Sequence, residues 1–165
     1  MIREQKYALI IIPDVHGRPF WRYPAVTYRE ARFIFLGDYL DPYPADHIKD
    51  ADAFQRLQDI VAFKKSNPDR AILLWGNHDL HYLYDSIIKG SRYDEAHAER
   101  NKEFFKENQD LFQMAYEEII CGRRYLYTHA GIGRQWLNES VHQSIIGVLP
   151  GIRSHIHGLS DYHKQ

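Results

Sequence analysis

Cysteine is nearly absent: the 165 residues hold one, Cys121. A single thiol excludes an intrachain disulfide framework and a structural thiolate zinc site, and it fits a reducing cytoplasm. Cys121 reads as a small packed residue, since no basic setting marks it as a nucleophile. Net charge is also nearly absent, at -1. Without a basic field, or a basic stripe interleaved with aromatics, the chain has little to hold nucleic acid, and no strongly acidic partner is implied. Long apolar runs are missing too. The stretch from Tyr7 to Ile12 ends at Pro13-Asp14, too short for a signal core or a membrane span. The expectation is a soluble, cytoplasmic protein with no membrane partner. Repeats, low-complexity tracts and a Walker-type phosphate loop are lacking as well, with Gly131-x-Gly133 only a fragment of one.

What is plentiful is histidine, ten in all, and such a count favours metal binding and proton transfer. His47, His97, His142 and His163 are expected at the surface. Apolar residues at 44% and aromatics at 14% suffice for a packed core, read as a single domain over residues 1–165. Short runs rich in β-branched and aromatic residues predict strands at Lys6–Ile12, Arg32–Leu36, Ala71–Trp75 and Arg124–Thr128. Between them, periodicity predicts a helix over Ala51–Lys65 with Phe54, Leu57, Ile60, Val61 and Phe63 in an apolar stripe, ended by Asn67-Pro68-Asp69. A second helix is predicted over Asp79–Lys89, stopped by Gly90, and one long or two shorter helices over Asp94–Ile120, closed by Gly122. The alternation specifies an α/β fold around a central sheet. Residues 79–120 are read as a helical insertion that caps the site and sets substrate choice.

Each predicted strand runs into a polar cluster beside glycine. Asp14-Val15-His16-Gly17 follows the first, Gly37-Asp38-Tyr39-Leu40-Asp41 the second, Gly76-Asn77-His78-Asp79 the third and His129-Ala130-Gly131 the fourth. Ligands bind outside the carboxyl ends of strands in open α/β sheets, so these clusters are expected on one edge of one sheet. Singly, each has an ordinary explanation: Gly-Asp is a common turn, and Asn77 or Asp79 suits a helix cap. Four in succession point to one site. Carboxylate, imidazole and amide oxygen together suit borderline divalent metals such as manganese, iron or zinc.

With these blocks in this order, from Asp14 to Gly131, the chain resembles the calcineurin-like metallophosphoesterases, whose pattern runs Asp-x-His, Gly-Asp-x-x-Asp, Gly-Asn-His-Asp/Glu and a lone His. Asp-Val-His-Gly and Thr-His-Ala-Gly-Ile look closest to the branch of phosphoprotein phosphatases and dinucleoside tetraphosphatases. The resemblance implies a β-sandwich flanked by helices in four layers, α/β/β/α, and two divalent metal ions, manganese foremost. It implies that Asp14 and His16 bind the first metal, that Asp38 bridges both, and that Asn77 and His129 bind the second. His78 contacts the phosphate and protonates the leaving oxygen, and Asp41 orients His78 by a hydrogen bond that holds its tautomer. The implied activity is hydrolysis of a phosphate ester. Two metals roughly 3.5–4 Å apart cancel the charge that repels a nucleophile and clamp the attacking and departing oxygens. The substrate class stays open between a nucleotide and another small phosphoester, as do monoester versus diester and the oligomeric state. Tyr39, Tyr43, Trp21 and Tyr82 are read as core and rim aromatics before pocket walls.

Two positions depart from the pattern. Phosphoprotein phosphatases continue Gly-Asp-x-x-Asp with an arginine that grips the phosphate; Pro42 follows Asp41 here. Arg18, Arg22 and Arg134 are the candidate substitutes, with nothing in the sequence to choose among them. The family's final Gly-His-x-His block has only Ser154-His155-Ile156-His157-Gly158 to match it, after the poor strand Leu149–Arg153. The expectation is therefore a domain incomplete at its carboxyl end. The competing reading is a truncated or degenerate relative without turnover, acting through binding.

Overall fold

The apolar runs that end at Ile12, Phe35 and Leu74 fold as parallel neighbours in one sheet. The computed structural model describes residues 9–130, and the chain divides into two units, Met1–Phe112 and Gln113–Gln165. In the first unit, β1 (Leu9–Ile12), β2 (Arg32–Phe35) and β3 (Ala71–Leu74) lie side by side, and β4 (Phe112–Gln113) completes the order β1-β2-β3-β4. Leu9 pairs with Arg32 and Ile12 with Phe35, while Phe35 pairs with Leu73. This register matters for function: the three chains leave the sheet at one level. Every residue of β3 is buried, as its unbroken apolar sequence requires of a strand covered on both faces.

Helix α1 (Arg22–Thr27) follows β1, with Pro24 in its first turn. Helix α2 (Asp50–Ser66) carries acids in its first turn and lysines in its last, which complements the helix dipole. It buries Ala53, Leu57, Ile60 and Val61 and packs against β3. Phe63 on its flank meets Trp21 at 5.7 Å and Phe33 at 5.8 Å. On the other side of the sheet order, Trp75 stacks on Phe112 at 4.4 Å and meets Phe105 of α4 (Ala98–Glu107) at 5.5 Å. Among the described residues, no helix is long and apolar enough to cross a membrane.

Helix α3 (Asn77–Leu83) is shorter than the expected Asp79–Lys89. It ends where Tyr84 turns extended, and the following loop folds back so that the Gly90 N–H donates to His81 Nδ1 at 3.1 Å. The larger correction concerns Asp94–Ile120, which is helical only over α4 and short 3-10 turns. In the second unit, Ala115–Ile120 is strand β5, paired antiparallel with β6 (Arg123–Thr128). The charged residues suggested a helix face, but Tyr116, Ile119 and Ile120 are strand formers. Cys121 and Gly122 have φ of 52° and 77°, a two-residue turn with both residues left-handed that fits the twist of a hairpin. Cys121 is exposed at this tip, not packed as expected. The fourth predicted strand, β6, therefore belongs to a separate two-stranded sheet.

Candidate active site

The loops leaving the three parallel strands are tied together by main-chain bonds. Val15 N and His16 N both donate to Asp38 O, at 3.0 and 2.7 Å, and Gly17 N donates to Tyr39 O at 2.9 Å. Asp79 clasps the second and third loops. Its carboxylate accepts from Asp38 N, Tyr39 N and Gly76 N, each at 2.9 Å. The side chain is fully buried, and burial together with the neighbouring Asp38 charge pushes its pKa well up, against the pull of the three N–H groups. Gly76 is required here: a Cβ on it would run into the Asp38 side chain and main-chain N. His16, Asp38 and Asp41 all have left-handed φ, at 43°, 54° and 59°. Non-glycine residues adopt this conformation at a cost, and such outliers cluster at functional sites.

The clasp brings the expected metal-type residues of this unit together. An oxygen of Asp14 lies within 4.8 Å of one of Asp38, and His16 Nε2 lies 3.6 Å from Asp38 Oδ2. His16 Nδ1 is 2.8 Å from the Leu40 carbonyl. A carbonyl can only accept, so Nδ1 carries the hydrogen and Nε2 presents its lone pair. Burial lowers the His16 pKa, outweighing the Leu40 bond and Asp38, and Arg92 and His78 lower it further. A neutral imidazole with Nδ1 engaged, beside two carboxylates, is the donor set that a divalent metal takes. Asn77 stands exposed at the first position of α3. His129 follows β6 in the second unit, half-buried.

Asp41 is the hub of a second cluster. Its Oδ2 is 2.7 Å from His78 Nδ1 and 2.9 Å from His81 Nε2, and its Oδ1 accepts from Tyr82 OH at 2.5 Å. His81 Nδ1 accepts from Gly90 N, so Nε2 holds the hydrogen and faces the carboxylate, although off the line of a well-formed hydrogen bond. Burial raises the Asp41 pKa, but the bonds from His78, His81 and Tyr82 outweigh it and leave the value lowered. The group is a carboxylate. Tyr82 shifts upward, by burial first and then by Asp41. His78 N also donates to Asp38 Oδ1 at 2.9 Å, and its ring stands 5.2 Å from that of His16. His78 is thus paired with Asp41 through Nδ1, and the two clusters share one wall.

Sequence reasoning missed four members. His81 and Tyr82 follow on α3 at three and four residues from His78, the helical spacing that would have placed them on the same face. Asp79 was weighed only as a cap. Arg92 had no signal at all. Its Nε donates to Asp41 O at 2.9 Å, and its Nη2 lies 3.4 Å from His78 Nε2 and 3.5 Å from His16 Nε2. The named arginine candidates are engaged elsewhere: Arg18 with Asp46 at 2.7 Å and Arg22 with Asp59. Arg134, His142, His155, His157 and His163 lie outside the described residues. His47 and His97 are exposed as expected. Trp21, Tyr39 and Tyr82 are core residues, with Tyr43 at the rim. A cavity of about 590 Å³ is lined by His81, Lys89, Tyr93 and Arg100 among others; it borders none of Asp14, His16, Asp38 or His78.

A family profile described as calcineurin-like phosphoesterase matches residues 8–161. Among solved structures, the chain is similar to a protein serine/threonine phosphatase from Saccharomyces cerevisiae with similarity to human phosphatase PP5. The identity is 18% and the TM-score 0.49, over 78% of this chain and 39% of that one. This chain therefore spans well under half the length of that protein. No curated protein matches the sequence.

Proposed function

From the premise that the chain belongs to the calcineurin-like phosphoesterase family, whose α/β fold it has with a parallel sheet flanked by helices, we propose that it is a hydrolase cleaving a phosphate ester with metal-activated water. The observation that carries this reading is the His78–Asp41 pair at 2.7 Å, standing beside His16 and Asp38 at the carboxyl end of the parallel strands. Asp14, His16, Asp38, Asn77 and His129 would hold two divalent ions, with Asp38 as the shared carboxylate. Manganese is the first choice, and iron and zinc suit the same donors. When bound, such ions supply positive charge that neutralises the phosphoester and acidifies the attacking water.

The remaining work falls to this chain's own side chains. Water oxygen attacks phosphorus, the P–O bond to the leaving group breaks, and the departing oxygen must gain a proton. His78 delivers it from Nε2, because Nδ1 is committed to Asp41. Asp41 keeps that tautomer and compensates the charge when both ring nitrogens carry hydrogens. The bond from Tyr82 and the close contact of His81 hold Asp41 itself in place. The loop after α3, which carries Arg92, contributes to substrate choice, and a reducing cytoplasm is the proposed setting.

The test is hydrolysis of an aryl phosphate monoester and its diester by the manganese-loaded full chain, beside His78→Ala and Asp38→Asn. Turnover in the wild type that is lost in both variants is expected. Wild-type rates no higher than those of the variants, with weak metal retention, would instead assign the chain to the relatives that bind without turnover.

A further inference from the structure

We propose that Arg92 is the oxyanion-binding cation of this site and that it favours a phosphomonoester over a diester. The proposal rests on the phosphoesterase reading above and names the substrate class of that site.

Three observations place the guanidinium. Its Nε is anchored on the Asp41 carbonyl at 2.9 Å. Its Cζ lies 3.8 Å from the centre of the Tyr43 ring. Its Nη2 points between His16 Nε2 and His78 Nε2, at 3.5 and 3.4 Å. A carbonyl and an aromatic face both hold a guanidinium without neutralising it. Other arginines of the chain are paired with acids: Arg18 with Asp46 at 2.7 Å, Arg22 with Asp59, Arg124 with Glu117 at 3.5 Å. Among the described residues, no carboxylate lies within ion-pair distance of Arg92. This half-buried cation therefore has no carboxylate directly against it, and its Nη2 edge meets two imidazoles only at 3.4 and 3.5 Å, long for hydrogen bonds. An oxyanion set beside Nη2 and His78 Nε2, which lie 3.4 Å apart, would accept from both at once.

Residues 41–43 build the socket. The chain that runs Asp41-Pro42-Tyr43 offers a carbonyl and a ring face where it offers no cation of its own, and the guanidinium arrives from a loop 51 residues downstream. The chemistry then selects among esters. A monoester near neutral pH carries close to two charges and three terminal oxygens; a diester carries one charge and two such oxygens. A fixed guanidinium fork gains more from the monoester.

The experiment uses the full chain loaded with manganese, as wild type, Arg92→Ala, Arg92→Lys and Arg22→Ala. Inorganic phosphate binding is measured by titration calorimetry, metal content by elemental analysis, and kcat/KM for an aryl monoester and its diester. Arg92→Ala is expected to retain its metal, to weaken phosphate roughly tenfold or more, and to lower monoester kcat/KM roughly 10²-fold, the scale for one lost oxyanion donor. The diester should fall much less, Arg92→Lys should recover part of the loss, and Arg22→Ala should match wild type. Equal phosphate affinity in wild type and Arg92→Ala, or none in either, overturns the proposal. Equal losses for the two esters overturn its selectivity. Arg92-dependent phosphate binding without turnover of either ester upholds the assignment and instead removes the phosphoesterase reading.

Discussion

Asp41→Asn is the substitution that most directly probes the proposed chemistry. The carboxylate of Asp41 meets three donors: His78 Nδ1 at 2.7 Å, His81 Nε2 at 2.9 Å and Tyr82 OH at 2.5 Å. An amide of the same shape has one acceptor atom and one donor group. With its oxygen toward the imidazoles, its NH2 faces the Tyr82 hydroxyl, which already accepts from Asp94 N at 2.9 Å. The hydroxyl hydrogen is then stranded. With the amide reversed, NH2 faces His78 Nδ1, and the ring must carry its hydrogen on Nε2 instead. Either way a buried bond to a charged group is lost, which costs about 1.5–3 kcal/mol of stability. A general acid contributes about 10²–10⁴-fold. Since the ring stays in the site, kcat should fall by roughly 10²–10³, or about 2.7–4.1 kcal/mol at 1.36 kcal/mol per decade. The discriminating assay is a series of aryl phosphate monoesters whose leaving phenols range from acidic to weakly acidic. Loss should be greatest for the most basic leaving group, which needs the proton most, and smallest for a nitrophenol. A loss that is the same across the series, or smaller than about threefold for its most basic member, would refute the role given to the His78–Asp41 pair.

Two further outcomes follow from the buried acids. Asp79→Asn leaves one side of the three-way clasp on Asp38 N, Tyr39 N and Gly76 N with a donor facing donors, so denaturant unfolding should lose about 2–4 kcal/mol; a variant as stable as wild type would show that the clasp does not hold the loops. Asp41, lowered from its ordinary 3.8 by bonds that outweigh burial, binds a proton more readily unfolded than folded. Its contribution is present above pH of about 4 and lost as pH falls through the lowered value. Metal-free wild type should therefore lose stability below about pH 4 more steeply than Asp41→Asn, and parallel curves would contradict this linkage.

Local sequence carried much of this site because strands and their turns are local events. The runs ending at Ile12, Phe35 and Leu74 are apolar and β-branched, and each is followed by a glycine-flanked polar cluster. That pattern was enough to bring Asp14, His16, Asp38 and His78 to one sheet edge, while the Asp41–His78 bond was anticipated only through the family resemblance. It failed over Asp94–Ile120, where charge spacing looked helical. Pairing of Ala115–Ile120 with Arg123–Thr128 decided the matter, and such pairing depends on a partner that a window of sequence does not contain. The same limit put the strand Arg124–Thr128 in the wrong sheet.

Asp79 and Arg92 mark the boundary most clearly. By itself the sequence determined the order of the motif blocks, the α/β class and the residue types able to hold metal, because each depends on neighbours a few positions apart. Only the tertiary structure decided that a helix-cap aspartate is the clasp between two loops, and that an arginine 51 residues beyond Asp41 lies across its carbonyl. Burial and through-space charge depend on which distant segments meet, and the sequence spacing of Arg92 carries no trace of that meeting.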